Sequence, residues 1–367
     1  MANTTALKQS AGLATLRQLS VLGLPEPMLR DTYANVIRRL ISCDTITLML
    51  IDGNCNLTEA WVNQSELLPL LGQYLQHFYD SREADAYVPF GKFFRGPSRI
   101  DLMHRSSVNF LTSEMYNEIC RKADFRYLIR CALKNGPIKQ GCIVFFRSHQ
   151  DNDFTAADIR RIAEILPYLT HTLNAPVASQ EAANDTESSE GLLICGGKGT
   201  VEYISPQALI LLHNAIGMPL NGTTLSDTCY RWAAPLLKAL VSEARKLADG
   251  KAGAVPVIER SNRYGRFVIR VWRMYAAAGS SPDLYTVSIR RYIPLTLQLL
   301  QNPEVQALPA REKQVCLLLS QGMEVKEVAQ RIGITPNTAI SYTRALYQRL
   351  GINSRQELSP RLLKPTG

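Results

Sequence analysis

Lys326 to Leu350 reads KEVAQRIGITPNTAISYTRALYQRL, and it decides how the end of this chain folds. Val325, Val328, Ala329 and Ile332 recur at i, i+3, i+4 and i+7, which predicts a short helix closing at Gly333. Thr335 is placed to cap a second helix, with Pro336 at its first position, where a missing N–H costs nothing. With Ala339 as the inward reference and about 100° per residue, Thr343, Leu346 and Leu350 share its side. Asn337, Ser341, Arg344 and Gln348 fall opposite, a stripe suited to base edges and phosphates. Thr338, Tyr342 and Arg349 line one flank. Ile340 falls on the flank of Tyr347, where it can pack in the core or touch a thymine methyl, and the sequence leaves both open.

A polar stripe on an arbitrary helix is usually a solvated face. Here a short helix, a Gly-containing turn and a second helix with an outward polar stripe form the helix-turn-helix pattern that fills a major groove. Around this pair, REKQVCLLLSQG predicts a preceding helix closing at Gly322, and a last helix begins at Ser354, which with Glu357 reads as a capping box.

LPAREKQVCLLLSQGMEVKEVAQRIGITPNTAISYTRALYQRLGINSRQEL closely resembles the DNA-binding domain of LuxR-type (GerE-like) transcription regulators, through its REKxV, KEVA, TPNTA and RLGINSRQEL motifs. The resemblance implies an all-α, four-helix domain over 306–367 that binds double-stranded DNA as a homodimer, with RNA polymerase as a further partner. It places Ile340, Ser341 and Arg344 toward the groove and Lys326, Thr338, Tyr342 and Arg349 toward phosphates; Thr335, Asn337 and Gln348 complete the candidate DNA-binding set. In the family it resembles, the last helix commonly serves dimerisation. Two departures stand out. Glu324-Val325 replaces the Ser-Asn pair that often precedes the second helix, an exchange expected to remove a good N-cap and set a carboxylate near phosphate. Ile340 stands where the family often has Lys.

Upstream, APVASQEAANDTESSE (175–190) has no aromatic and no Lys or Arg, and it reads as a linker unable to bury enough apolar surface to offset its ordering entropy. Before it, LRDTYANVIRRLI predicts a helix, TITLMLID, FRYLIRCALK and GCIVFFRS predict strands, and DFTAADIRRIAEILPYLTHTL returns to helix behind Asp153 or Thr155. After it come a strand, a Gly-rich turn and a strand in GLLICGGKGTVEYIS, then two helices, a strand pair turning at Ser261 to Gly265, and the strand LYTVSIRR. The expected class is therefore multidomain, two α+β domains followed by the helical one. The first resembles a GAF domain and the second a PAS domain, which implies sensing of a small-molecule effector or a partner. Boundaries fall at 1–175, linker 176–190, 191–293, connector 294–305 and 306–367.

Composition agrees with soluble domains: 46% hydrophobic and 20% charged residues at 367 residues, with 41 Lys plus Arg against 32 Asp plus Glu, a formal +9 that favours phosphate. The eight cysteines form no Cys-x-x-Cys pair and no His lies at metal-ligand spacing, so a reduced, cytoplasmic setting without metal or cofactor is expected. No apolar run reaches the roughly 18 residues of a membrane span, and the first residues lack a signal pattern.

Several other signals fail. CGGKGT has some letters of a phosphate loop but lacks its first Gly and the Ser or Thr after Lys198, so it reads as a hairpin turn. His77, His104, His149, His171 and His213 are scattered; Trp61, Phe93, Phe94, Trp232 and Trp272 suit core packing. Arg260, Arg263, Arg266, Arg270 and Arg273 suit an anion site or a second DNA patch, but alternation around a strand pair places some of them outward, where solvated charge is the usual explanation. No nucleophile-base pair supports an enzyme. The competing class is a sigma-factor-like promoter binder, which would need an upstream helical domain where this chain is strand-rich.

Overall fold

The computed structural model describes residues 2–105, 107–134, 140–177, 185–226, 230–249, 255–275 and 283–363. Two helices open the chain, α1 (Ala2–Ser20) and α2 (Glu26–Ile41). A first sheet follows with β1 (Thr45–Ile51), β2 (Leu57–Val62), β3 (Ile100–Leu102), β4 (Tyr127–Leu133) and β5 (Gln140–Arg147); α3 (Leu68–His77) and α4 (Phe90–Arg95) lie between β2 and β3, and α5 (Ala156–Asn174) comes after β5. The second sheet contains β6 (Asp185–Gly196), β7 (Val201–Ile204), β8 (Val257–Asn262), β9 (Gly265–Arg273) and β10 (Leu284–Pro294), with α6 (Pro206–Ile216), α7 (Gly222–Ser226) and α8 (Ala234–Ala248) between β7 and β8. Then come α9 (Leu295–Gln301), α10 (Pro303–Ala307), α11 (Ala310–Ser320), α12 (Val325–Ile332), α13 (Pro336–Leu350) and α14 (Leu358–Leu362).

These elements form two compact units: Cys43–Leu166 with Glu187–Tyr292, and Met1–Ser42 with Pro167–Thr186 and Ile293–Gly367. The division falls inside α5 at Pro167, the internal proline of that helix.

In the first unit both sheets are five-stranded and share one strand order, second-first-fifth-fourth-third (β2-β1-β5-β4-β3 and β7-β6-β10-β9-β8). Each inserts its helices between its second and third strands. The two α+β regions expected from the sequence are present. β1 is buried along its whole length because TITLMLI is apolar or hydroxyl-bearing at every position and lies between β2 and β5. Met49, Val62, Leu128 and Val144 from this sheet join one core with Leu71, Phe78, Phe90 and Phe94. In the second sheet, Phe267, Ile269 and Val271 of β9 and Tyr285, Val287 and Ile289 of β10 alternate inward onto Leu211, Leu237 and Leu240. Buried Glu59 on β2 accepts from Tyr264 Oη at 2.8 Å and Arg263 Nη2 at 3.0 Å, so Arg263 serves an internal ion pair.

CGGKGT is the expected turn, with the N–H of Gly196 donating to the carbonyl of Thr200 at 2.9 Å. Asp158 accepts from the Thr155 N–H at 2.8 Å while Thr155 Oγ1 accepts from the Asp158 N–H, so Thr155 rather than Asp153 caps α5. β6 begins at Asp185, inside the stretch read as a linker; 178–184 lie outside the described residues. Trp272, expected in a core, is 40% exposed.

In the second unit the C-terminal helices are the four expected, with α14 preceded by a 3-10 turn at Arg355–Glu357. α12 and α13 each end on a left-handed glycine, Gly333 (φ 69°) and Gly351 (φ 65°), where a Cβ would be strained. Ile334 N–H then reaches back to Ala329 O at 3.0 Å, and Ile352 N–H to Tyr347 O at 3.0 Å.

Candidate nucleic-acid interface

Periodicity and structure agree on α13. Ala339, Thr343, Leu346 and Leu350 are buried, and Asn337, Ser341, Arg344 and Gln348 are exposed. Thr335 occupies the N-cap, its Oγ1 accepting from the Thr338 N–H at 3.2 Å, and its hydroxyl also meets the Thr338 hydroxyl at 2.8 Å. Both threonines are thus engaged at the helix start. The Ser341 hydroxyl donates to Asn337 O at 3.0 Å.

The remaining candidates differ from these. Among the described residues, the side chains of Lys326, Asn337, Tyr342, Arg344 and Gln348 have no hydrogen-bond or ion-pair partner. Lys326 is exposed on α12, and Asn337, Arg344 and Gln348 lie along one face of α13. Unpaired donors and acceptors on an exposed helix face are held only by water, which a base edge or phosphate can replace. Ile340 is 39% exposed, one of the large apolar side chains the fold leaves open to solvent.

Arg349 is placed differently. Its Nε donates to Glu312 Oε2 at 3.0 Å, tying the last turn of α13 to a buried carboxylate on α11. A phosphate at this position has to share or displace that pair.

Two capping expectations are corrected. Glu324 does not lose its cap: it is the N-cap of α12 and forms a capping box with Glu327, whose carboxylate accepts the Glu324 N–H at 2.7 Å. Its charge is also met by Arg355 Nη1 at 3.0 Å, so the carboxylate is neutralised within the domain. The Ser354 and Glu357 box is not formed, because Ser354 Oγ donates to Glu357 Oε1 at 2.8 Å instead of accepting a backbone N–H.

Lys313 was missed by the sequence reading, which saw it only as part of REKxV. It is fully buried on α11, and burial pushes its ammonium down to about 8. Elsewhere, Arg266 pairs with Glu259, His104 lies between Leu128 O and Asp153, and buried His213 packs tilted against Trp232 with ring centroids 3.9 Å apart, its imidazolium disfavoured by burial to about 4. Cys43, Cys55, Cys120, Cys131, Cys142, Cys195 and Cys316 are free and buried; Cys229 lies outside the described residues. Among the described residues no group of three or more His, Cys, Asp or Glu could hold a metal ion, and no helix is long and apolar enough to cross a membrane.

Residues 306–360 match the family model described as GerE, bacterial regulatory proteins of the luxR family. The C-terminal domain is thus a LuxR-type helix-turn-helix domain. Over 55 residues, 15% of this chain, it is 40% identical to the transcriptional regulatory protein UhpA of Escherichia coli (strain K12) and to UhpA of Salmonella typhimurium. The chain spans only 28% of the length of these curated relatives. Among solved structures, Vibrio cholerae VqmA without its target DNA is 15% identical, covering 48% of this chain and 83% of that one at a TM-score of 0.20. The sensor region of a sensor histidine kinase is 12% identical, covering 68% and 84% at a TM-score of 0.18. At such scores the likeness carries no argument.

Proposed function

We propose that this chain is a DNA-binding transcription regulator in which α13 enters the major groove and the N-terminal sheet regions, GAF-like and PAS-like, respond to a small molecule or partner. The observation that carries the reading is the set of unpartnered groups, Lys326, Asn337, Arg344 and Gln348, on a helix-turn-helix whose caps and core stripe are satisfied within the protein. In the mechanism, an effector that binds one arrangement of the sensory regions better than another shifts the population and with it the spacing of two DNA heads in a homodimer. Among the described residues the two sheet regions supply ten strands, which disfavours the sigma-factor-like alternative.

The test is fluorescence anisotropy of the full chain on duplex DNA over a salt series. Log Kobs should fall linearly with log salt, by about 0.9 per phosphate contacted, and Lys326→Ala should make the slope shallower by about one. Binding with no salt dependence, or none at low salt, would overturn the reading.

A further inference from the structure

Two cavities meet at one residue beside the first sheet. The interior one, about 70 Å³, is lined by apolar side chains including Met49, Val62, Leu71, Met115 and Phe125. The other is an open cleft of about 410 Å³ bordered by Tyr116, Asn117, Arg121, Asp124, Arg126 and His149. Phe125 lines both, its ring stacked on Phe146 at 4.2 Å. The partition is Tyr116–Cys120, a π-helical turn in which Arg121 N–H reaches Tyr116 O at 2.7 Å. Ile119 and Cys120 belong to the interior cavity, Tyr116 and Asn117 to the cleft. Such i to i+5 winding is rare and concentrates at functional positions.

The two spaces have opposite chemistry. In the interior, the Tyr74 hydroxyl donates to Glu83 at 2.6 Å, so this phenol is already paired; Thr47 and Tyr87 add further hydroxyl-bearing side chains to the lining. That space suits a hydrocarbon group smaller than the benzene that fills a cavity of about 150 Å³. In the cleft, Asp124 is taken by His149, whereas Arg121 and Arg126 have no carboxylate partner among the described residues. Arg126 lies 5.7 Å from the Tyr127 ring centroid. Two unpaired guanidinium groups beside an amide and a phenol make a site for an anion.

We propose that this site binds a small organic anion, a carboxylate held by Arg121 and Arg126 with a short alkyl chain running past Phe125 into the interior cavity. The inference deepens the sensory part of the proposed function and rests on it for its biological consequence.

Calorimetric titration of the full chain, without DNA, with acetate, butyrate, hexanoate and hexan-1-ol tests it. Affinity should rise up to about fourfold per added methylene until the cavity is full. Hexanol should bind at least about tenfold more weakly than hexanoate, and Arg121→Gln with Arg126→Gln should lower hexanoate affinity by a similar factor. Ala123→Leu, which fills the interior cavity, should erase the chain-length gain and leave acetate unchanged. Circular dichroism of each variant should match the parent; if the double variant unfolds, the hexanoate-to-hexanol ratio of the parent decides alone. No binding of any carboxylate up to about 10 mM, or equal binding of hexanol and hexanoate, overturns the inference. DNA affinity is measured separately: its loss would defeat the regulator reading without touching this site, and its survival beside a silent titration would defeat this site alone.

Discussion

The Nζ of Lys313 on α11 donates to Thr15 Oγ1 on α1 at 2.6 Å, and to the carbonyls of Ala11 and Gln306, each at 3.1 Å. The first helix of the DNA-binding fold is therefore fastened to the first helix of the chain by a buried lysine that has no carboxylate partner among the described residues. Three acceptors hold the ammonium, and burial still disfavours its charge.

A pH dependence follows. The lysine falls from 10.5 to about 8 on folding, so between those values the unfolded chain binds more protons and stability rises with pH. The gain across the window is at most about 3 kcal/mol. Urea unfolding at pH 7.5 and 9.5 should show the parent gaining stability relative to Lys313→Met. Parallel pH profiles for the two proteins would contradict this placement.

Arg349→Ala should cost about 1 kcal/mol of stability, since it leaves the buried Glu312 carboxylate without its partner. Its effect on DNA is expected to be smaller than that of Lys326→Ala, because the Arg349 charge is already met. Thermal melts paired with anisotropy check the ordering, and a variant of parental stability with the larger DNA defect would reverse it.

Arg344→Ala should leave the melting temperature near the parent's, as an exposed side chain without a partner does, while reducing affinity for a selected site by about 1–3 kcal/mol. The loss should be much smaller on random DNA. An equal loss on both would make Arg344 a phosphate contact.

Ile340 is 39% exposed, so Ile340→Ala should change stability by less than about 1 kcal/mol. If it touches a thymine methyl, replacing T by U in the site weakens the parent and leaves the variant unaffected. A variant that melts much earlier and keeps its preference for T would assign Ile340 to the core.

Local pattern made much of this molecule legible. The 3.6-residue period on α13 separates Ala339, Thr343, Leu346 and Leu350 from the polar stripe, and all four are buried. Thr335 and Pro336 mark the start of that helix by their own backbone chemistry. What the sequence hid depends on partners distant along the chain. Glu324 looked like a lost cap because Arg355 and the reciprocal bond from Glu327 appear only once α12 is formed. Lys313 gave no signal beyond its place in REKxV because two of its three acceptors, Ala11 O and Thr15 Oγ1, lie on α1, almost the whole chain away. The two unpaired arginines beside Phe125 carry no motif; only the turn at Tyr116–Cys120 brings their cleft against the interior cavity.

The most direct test of DNA reading by α13 is selection of bound duplexes from a random pool by the full chain, followed by affinity measurement on the winning site with parent and the triple variant Lys326→Ala, Asn337→Ala, Arg344→Ala. The account predicts an enriched site that the parent binds at least about a hundredfold more tightly than random DNA, and a triple variant that folds normally but has lost most of that preference. A pool that shows no enrichment, or a triple variant that prefers the site as strongly as the parent, would contradict it.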